Sequence, residues 1–297
     1  GRRWLEEMLA LPAAEFKTHR ARALTGLGTL AETQGDDGGA EEFFEQASAL
    51  WRELDDRYGL ATSYLFRWLV AFDHEDLPRM EALANDSLET FEELENEWGI
   101  ALSKAELGIT AMRAGDLAQA QVQLEYSLTR FRRLDDRWGI AIAVGTLANV
   151  TFLQADLARG QGLIEESLTL FGRGKQLIEE SLRHFLGMRD GWGLATFIHS
   201  PARAAAALGR AAAARGDADV AHREWERSLL LMSAGEALCN RIGAPLRVPF
   251  RKVVEQNKED AKAYLGDEAH DRIWAEGQPM TPDRAVDCAL ALGTAGI

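Results

Sequence analysis

Leu134-Asp135-Asp136-Arg137-Trp138-Gly139-Ile140-Ala141 decides how this sequence is read, because its core returns along the chain. Gly139-Ile140-Ala141 matches Gly99-Ile100-Ala101 and Gly59-Leu60-Ala61 at a spacing of 40 residues, and Gly193-Leu194-Ala195 follows later. An aromatic precedes each glycine: Tyr58, Trp98, Trp138 and Trp192. Farther into the period comes a turn signal, at Gly35-Asp36, Glu75-Asp76, Gly115-Asp116, Ala155-Asp156 and Gly216-Asp217. A Ser-Leu pair then recurs at Ser87, Ser127, Ser167, Ser181 and Ser228, and an aromatic closes most periods at Trp51, Phe91, Phe131, Phe171 and Phe185. A fixed period of this length marks a repeat array, in which each unit buries its apolar face against its neighbours.

Each unit reads as two helices. The first spans about Gly99 to Ala114 and the second about Leu117 to Arg137. Gly115 suits the left-handed residue that ends one helix, and Asp116 suits the cap of the next. Leu117, Ala120, Leu124, Leu128, Phe131 and Leu134 recur at three- and four-residue steps, which is one face of an α-helix. Almost nothing alternates with period two, so no sheet is expected. The fold class is all-α: a right-handed superhelical array of antiparallel helix pairs with a C-terminal helical cap.

Carrying the period outward places a partial first unit at 1–18, with Arg2 to Leu9 as the second helix of a pair, and full units at 19–58, 59–98 and 99–138. The unit at 139–192 carries 14 extra residues, because Leu163-Ile164-Glu165-Glu166-Ser167-Leu168 returns as Leu177-Ile178-Glu179-Glu180-Ser181-Leu182. An unbroken helix would keep its apolar face across such an insert, since it is close to four turns. Gly172 and Gly174 argue instead for a break or kink. The unit at 193–243 has 7 extra residues before its turn at Gly216 and a Pro201 that kinks or starts a helix. The remaining 244–297 reads as a cap, with a helix from about Phe250 to Leu265 and a strong helix start at Thr281-Pro282-Asp283. Gly1 is not an initiator Met and the first residues already read as helix, so the chain reads as a piece of something longer.

A formal net charge of −14 disfavours phosphate backbones and anionic membranes as partners. Cys239 and Cys288 form no Cys-x-x-Cys pair, so neither a disulfide framework nor a zinc site is expected and a reducing cytoplasm fits. There is no signal peptide and no apolar run of about 18 residues that would span a membrane.

Catalytic motifs fail one by one. Around Arg173-Gly174-Lys175 a phosphate loop would need Gly at Thr169 and Ser or Thr at Gln176. The histidines His19, His74, His184, His199, His222 and His270 contain no zinc-protease pair, and no Gly-x-Ser-x-Gly elbow occurs. Glu165-Glu166 and Glu179-Glu180 read as solvated helix faces. The recurring aromatics before each glycine read as packing between repeats rather than a ligand ladder. No enzyme activity, cofactor or metal is expected.

Leu107-Gly108, Ala120, Leu124 and Ser127 resemble the signature positions of the tetratricopeptide repeat. This unit is longer than the usual one, and Lys104 and Ala111 stand where that family has Trp and Tyr. Leu134 to Ala141, Arg241-Ile242-Gly243-Ala244-Pro245-Leu246, Leu265-Gly266 and Trp274-Ala275-Glu276-Gly277-Gln278-Pro279-Met280-Thr281 together resemble the C-terminal region of large bacterial signal-transduction ATPases. These include ATP-dependent LuxR-type transcriptional regulators and cyclase-linked relatives.

That resemblance implies an ATPase module elsewhere in the parent chain and a sensing or docking role for the array. The partner would be a protein, a peptide or a small effector. An independent peptide-binding scaffold is the alternative. Tetratricopeptide groove positions carry over to Thr25, Thr29 and Glu32, to Leu65, Leu69 and Phe72, and to Leu102, Ala105, Ile109 and Met112. They continue at Ile142, Gly145, Asn149 and Phe152, and, counted from Gly193, at Thr196, His199 and Arg203. Asn149, His199 and Arg203 would make a polar end suited to a carboxylate or other anion. Groove and core are both apolar, so periodicity alone leaves the two open for the apolar set.

Overall fold

The computed structural model describes residues 2–9, 16–160, 164–244 and 246–291, and among them there are helices and no strand. In chain order these are α1 (Arg2–Leu9), α2 (Lys17–Thr33), α3 (Asp37–Glu53), α4 (Arg57–Asp73) and α5 (Leu77–Glu93). Then come α6 (Glu97–Ala114), α7 (Leu117–Arg133), α8 (Arg137–Gly160), α9 (Ile164–Met188) and α10 (Gly191–Phe197). The chain continues with α11 (His199–Ala214), α12 (Ala218–Ile242), α13 (Val248–Leu265), α14 (Asp267–Gly277) and α15 (Pro282–Leu290). The chain divides into two compact units, Gly1–Leu134 and Asp135–Ile297.

The regular turns are a two-residue device. A left-handed residue ends one helix, and an Asp or Asn begins the next. The left-handed position is Gly35, Gly115 or Gly216 where glycine occurs, and Asp55, Glu75, Glu95, Asp135 or Arg189 where it does not. The following acid or amide accepts a bond from the backbone N–H three residues on: Asp56 from Gly59, Asn96 from Gly99, Asp116 from Gln119, Asp190 from Gly193. Such caps satisfy donors that have no partner inside the helix. Helix α7 therefore stops at Arg133 and not at Arg137, because Asp135 turns left-handed and Asp136 caps α8.

Side chains with a Cβ are strained in that conformation by about 1 kcal/mol. Exposed Glu95, at φ 50°, is the position at which to test this. Glu95→Gly is expected to raise stability by about 0.5–1 kcal/mol despite the greater freedom glycine gives the unfolded chain. A shift of the urea midpoint upward at constant slope checks it.

Within a pair, the recurrent serine ties the second helix to the first. Ser127 Oγ donates to the Ala101 carbonyl at 2.7 Å and Ser228 Oγ to the Ala202 carbonyl at 2.8 Å. Between pairs, the glycine of the Gly-x-Ala triplet receives the closing aromatic of the preceding helix. A methyl on Gly99 would lie within the van der Waals envelope of the Phe91 ring. Gly59 meets Trp51 and Gly193 meets Phe185 in the same way. The aromatics before the glycines pack at the margin of these contacts: Trp98 is half-buried against the Ala61, Leu65 and Phe91 cluster, Trp192 lies against the core of the second unit, and the Tyr58 ring is 5.9 Å from that of Phe91, with Tyr58 50% and Trp138 37% exposed.

The insert settles differently from the sequence expectation. No turn forms at Ala155-Asp156, because α8 runs on to Gly160. No break forms at Gly172 or Gly174, because α9 is continuous from Ile164 to Met188. The hairpin has lengthened on both arms by about two turns each, 7 residues being close to two turns. Ser181 Oγ now donates to the Ala141 carbonyl at 2.8 Å, so the second copy of the duplicated hexapeptide holds the regular register. Gly174 is a packing residue rather than a helix breaker: a Cβ there would lie 2.7 Å from Phe152 Cε1. Residues 161–163, where the first copy begins, lie outside the described residues.

The last repeat is also re-registered. Ser228 bonds Ala202 and not Ala195, so Ser200-Pro201-Ala202 holds the place of Gly99-Ile100-Ala101. The 7-residue excess becomes the short helix α10, and Pro201 sits in the first turn of α11, where its missing N–H costs nothing. The tail helices α13, α14 and α15 pack on α12, with Ser233 Oγ donating to the Trp274 carbonyl at 2.6 Å. Contrary to the sequence expectation, one window among the described residues, Arg137–Asp156 of α8, is long and apolar enough to cross a membrane, and 78% of it is buried inside the protein, as in a core helix.

Candidate functional site

The first unit presents its first-helix positions unevenly. Leu65 and Phe72 of α4 are buried at 6% exposure each, and Ala105 of α6 is buried as well. Leu69 of α4 and Leu102, Ile109 and Met112 of α6 are half-buried. This leaves a partly open apolar strip on two successive first helices. Arg113 closes one end, 6.0 Å from the Phe72 ring and ion-paired with Glu75. In α2 the corresponding threonines bond back to their own helix. Thr25 and Thr29 donate to the carbonyls of Ala21 and Thr25, and Glu32 is buried.

Glu106 lies beneath this strip. It is 5% exposed and its Oε2 has no hydrogen-bond partner. Burial alone holds its carboxyl well above the usual 4.5, so the acid is favoured in the folded state. A raised folded pKa means stability is greatest below the unfolded pKa and falls as pH rises towards the folded one. Glu106→Gln is therefore expected to gain on the parent protein between pH 5 and 8, by up to about 1.4 kcal/mol per pH unit while the folded acid stays protonated. Urea unfolding of both proteins across that range checks it, and a pH-independent difference would contradict it.

In the second unit the sequence expectations separate. Ile142 and Gly145 of α8 are core: both are buried, and a Cβ on Gly145 would collide with the Phe197 ring and Ser181. His199 is also core and not a groove anchor, at 2% exposure with neither ring nitrogen hydrogen-bonded. Its ring packs on Gly235 of α12. Burial, helped by the charge of Arg203, lowers its pKa to about 4. The expectation counts from Gly193, whereas the bond from Ser228 to Ala202 runs the register through Ser200. In the true register His199 stands at the position of Trp98.

Asn149, Phe152 and Arg203, by contrast, are brought together. They line a cavity of about 130 Å³. Ser200 and Arg210 of α11, Asp156 of α8 and Asn257 of α13 complete its polar wall. Arg210 donates to Asn257 Oδ1 at 3.1 Å and to Asp260 Oδ2 at 3.2 Å, and its guanidinium lies 5.6 Å from the Trp225 ring centroid. Arg210 was legible in principle. Leu107-Gly108 returns as Leu208-Gly209, and that spacing carries Leu102 to Arg203 and Ile109 to Arg210. Asn257 was not, because it comes from a tail helix outside the period.

Among the described residues no three His, Cys, Asp or Glu side chains gather where a metal ion could be held. Cys239 and Cys288 are free, and burial raises both thiols, Cys239 to about 11.

No protein-family model matches this sequence, and no curated protein matches it.

Proposed function

We propose that this chain is a non-catalytic sensor or protein-docking arm of a larger bacterial signalling and transcription-regulating ATPase. It works in the cytoplasm and binds its partner on the first helices of its repeats. The observation that carries this reading is the half-buried apolar strip of Leu69, Leu102, Ile109 and Met112 on α4 and α6. Regular repeats supply rigid, evenly spaced first helices, and a partly open apolar face on such helices suits an amphipathic segment of a partner. The net charge of −14 favours a partner with basic flanks and disfavours nucleic acid. The ATPase assignment is carried by the motifs at Leu134 to Ala141 and Trp274 to Thr281. Reading the gene upstream of Gly1 tests it. A phosphate-loop domain in the same reading frame is the expected result, and a frame opening near Gly1 would overturn it.

A further inference from the structure

The cavity of the second unit is chemically unlike the matching place in a regular repeat. At the two α11 positions that correspond to Leu102 and Ile109, the chain carries Arg203 and Arg210. Two further polar side chains open onto it from buried positions: Asn149 is 7% and Ser200 5% exposed, and neither hydrogen-bonds to another described group. Buried amides and hydroxyls are nearly always partnered in a folded protein, because leaving one unpaired is costly. The polar atoms of both groups are open to the cavity, so both can bond a ligand that enters it.

We propose that this cavity is an effector site for a small monocarboxylate with an apolar body. The inference rests on the sensing reading above and narrows it to one ligand class. The carboxylate is met by the Arg203 guanidinium and by the amide N–H groups of Asn257, whose Oδ1 is already occupied by Arg210. Guanidinium suits a carboxylate because its donors form a planar fork. The Asn149 amide and Ser200 hydroxyl supply further donors and can accept from a ligand hydroxyl. Phe152, Leu153 and Val253 form the apolar wall. A cavity of about 150 Å³ holds benzene, so about 130 Å³ takes a ligand of roughly six to ten non-hydrogen atoms. Asp156 in the lining and Asp260 on Arg210 balance the charges of Arg203 and Arg210, so each negative charge a ligand adds is uncompensated and one is tolerated better than the two of a phosphate or dicarboxylate.

The probe is benzoate, which pairs one carboxylate with an apolar ring of fitting size. Isothermal titration of the chain should give a Kd on the order of 10–1000 µM, the range open to so small a ligand. Benzamide, its neutral counterpart, and inorganic phosphate should each bind at least about tenfold more weakly, as loss of a charge-assisted pair predicts. Arg203→Gln should weaken benzoate by about tenfold or more on the same ground. Absence of benzoate binding at 10 mM (about ten times the weakest Kd expected) would overturn the proposal. So would equal binding of benzamide, equal binding of phosphate, or an unchanged Kd in a folded Arg203→Gln. If that variant does not fold, the benzoate–benzamide comparison on the unaltered chain decides. Failure here with a phosphate-loop domain found upstream would remove the effector site and leave the ATPase-arm reading standing. Benzoate binding with no such domain would do the reverse.

Discussion

Phe91→Ala is expected to destabilise the first unit by about 3–5 kcal/mol, the cost of emptying a fully buried aromatic site. The ring is 0% exposed and packs with Ala61, Leu65, Leu88 and Ile100, so it joins two successive helix pairs. The more telling result concerns its partner. In the parent protein Gly99→Ala forces a methyl into the Phe91 ring, and overpacking of that kind costs about 1–3 kcal/mol. In the Phe91→Ala background the ring is gone, and the same substitution should be neutral or stabilising, since Ala is favoured over Gly in a helix by about 1 kcal/mol. The double-mutant cycle should therefore show a coupling of about 1–4 kcal/mol. Urea unfolding of the four proteins measures it. Additivity to within about 0.5 kcal/mol would show that the glycine is not held small by the aromatic.

Acid should weaken the second unit through His199. Its pKa is lowered to about 4 in the folded protein, against an ordinary 6.5. A depressed folded pKa contributes stability that is complete above the unfolded value and is lost as pH falls towards the folded one. The window is therefore pH 6.5 down to about 4, and the loss across it is about 3 kcal/mol, each pKa unit being worth about 1.4 kcal/mol. Other groups also respond to acid, so the comparison is with His199→Leu, which keeps an apolar side chain against Gly235. The stability difference between the two proteins should swing by about 3 kcal/mol in favour of the variant on going from pH 7 to pH 4. A difference that stays flat would mean that His199 reaches solvent when charged. The sign is opposite to that for Glu106, which loses stability as pH rises.

Most of the fold was legible because the repeat is written in residues with a physical job. Gly99 accommodates Phe91, Asn96 and Asp116 cap helices, and Ser127 bonds Ala101. Those contacts need particular side chains, so they survive in the sequence as a period. The sequence leaves open whether the insert lengthens a helix or bulges out, because Gly172 and Gly174 signal a break by themselves. Only the partner helix reveals that Gly174 makes room for Phe152. The last repeat was misread because Gly193 carries the triplet and its own Phe185 contact while the paired helix keeps register with Ser200. The site suffered from the same slip. Counting from Gly193 puts His199 on an open face although it is core, while Asn149 and Arg203 line one cavity with Arg210, the residue to which Leu208-Gly209 points. Asn257 obeys no period, since α13 is outside the array.

The claim that this chain binds while chemistry lies elsewhere in its parent is tested most directly by one titration with fluorescent ATP, made on the parent protein and on residues 1–297 alone. Saturable binding by the parent and none by the isolated array is the result expected here. Binding by the array alone, or none by the parent, would contradict it.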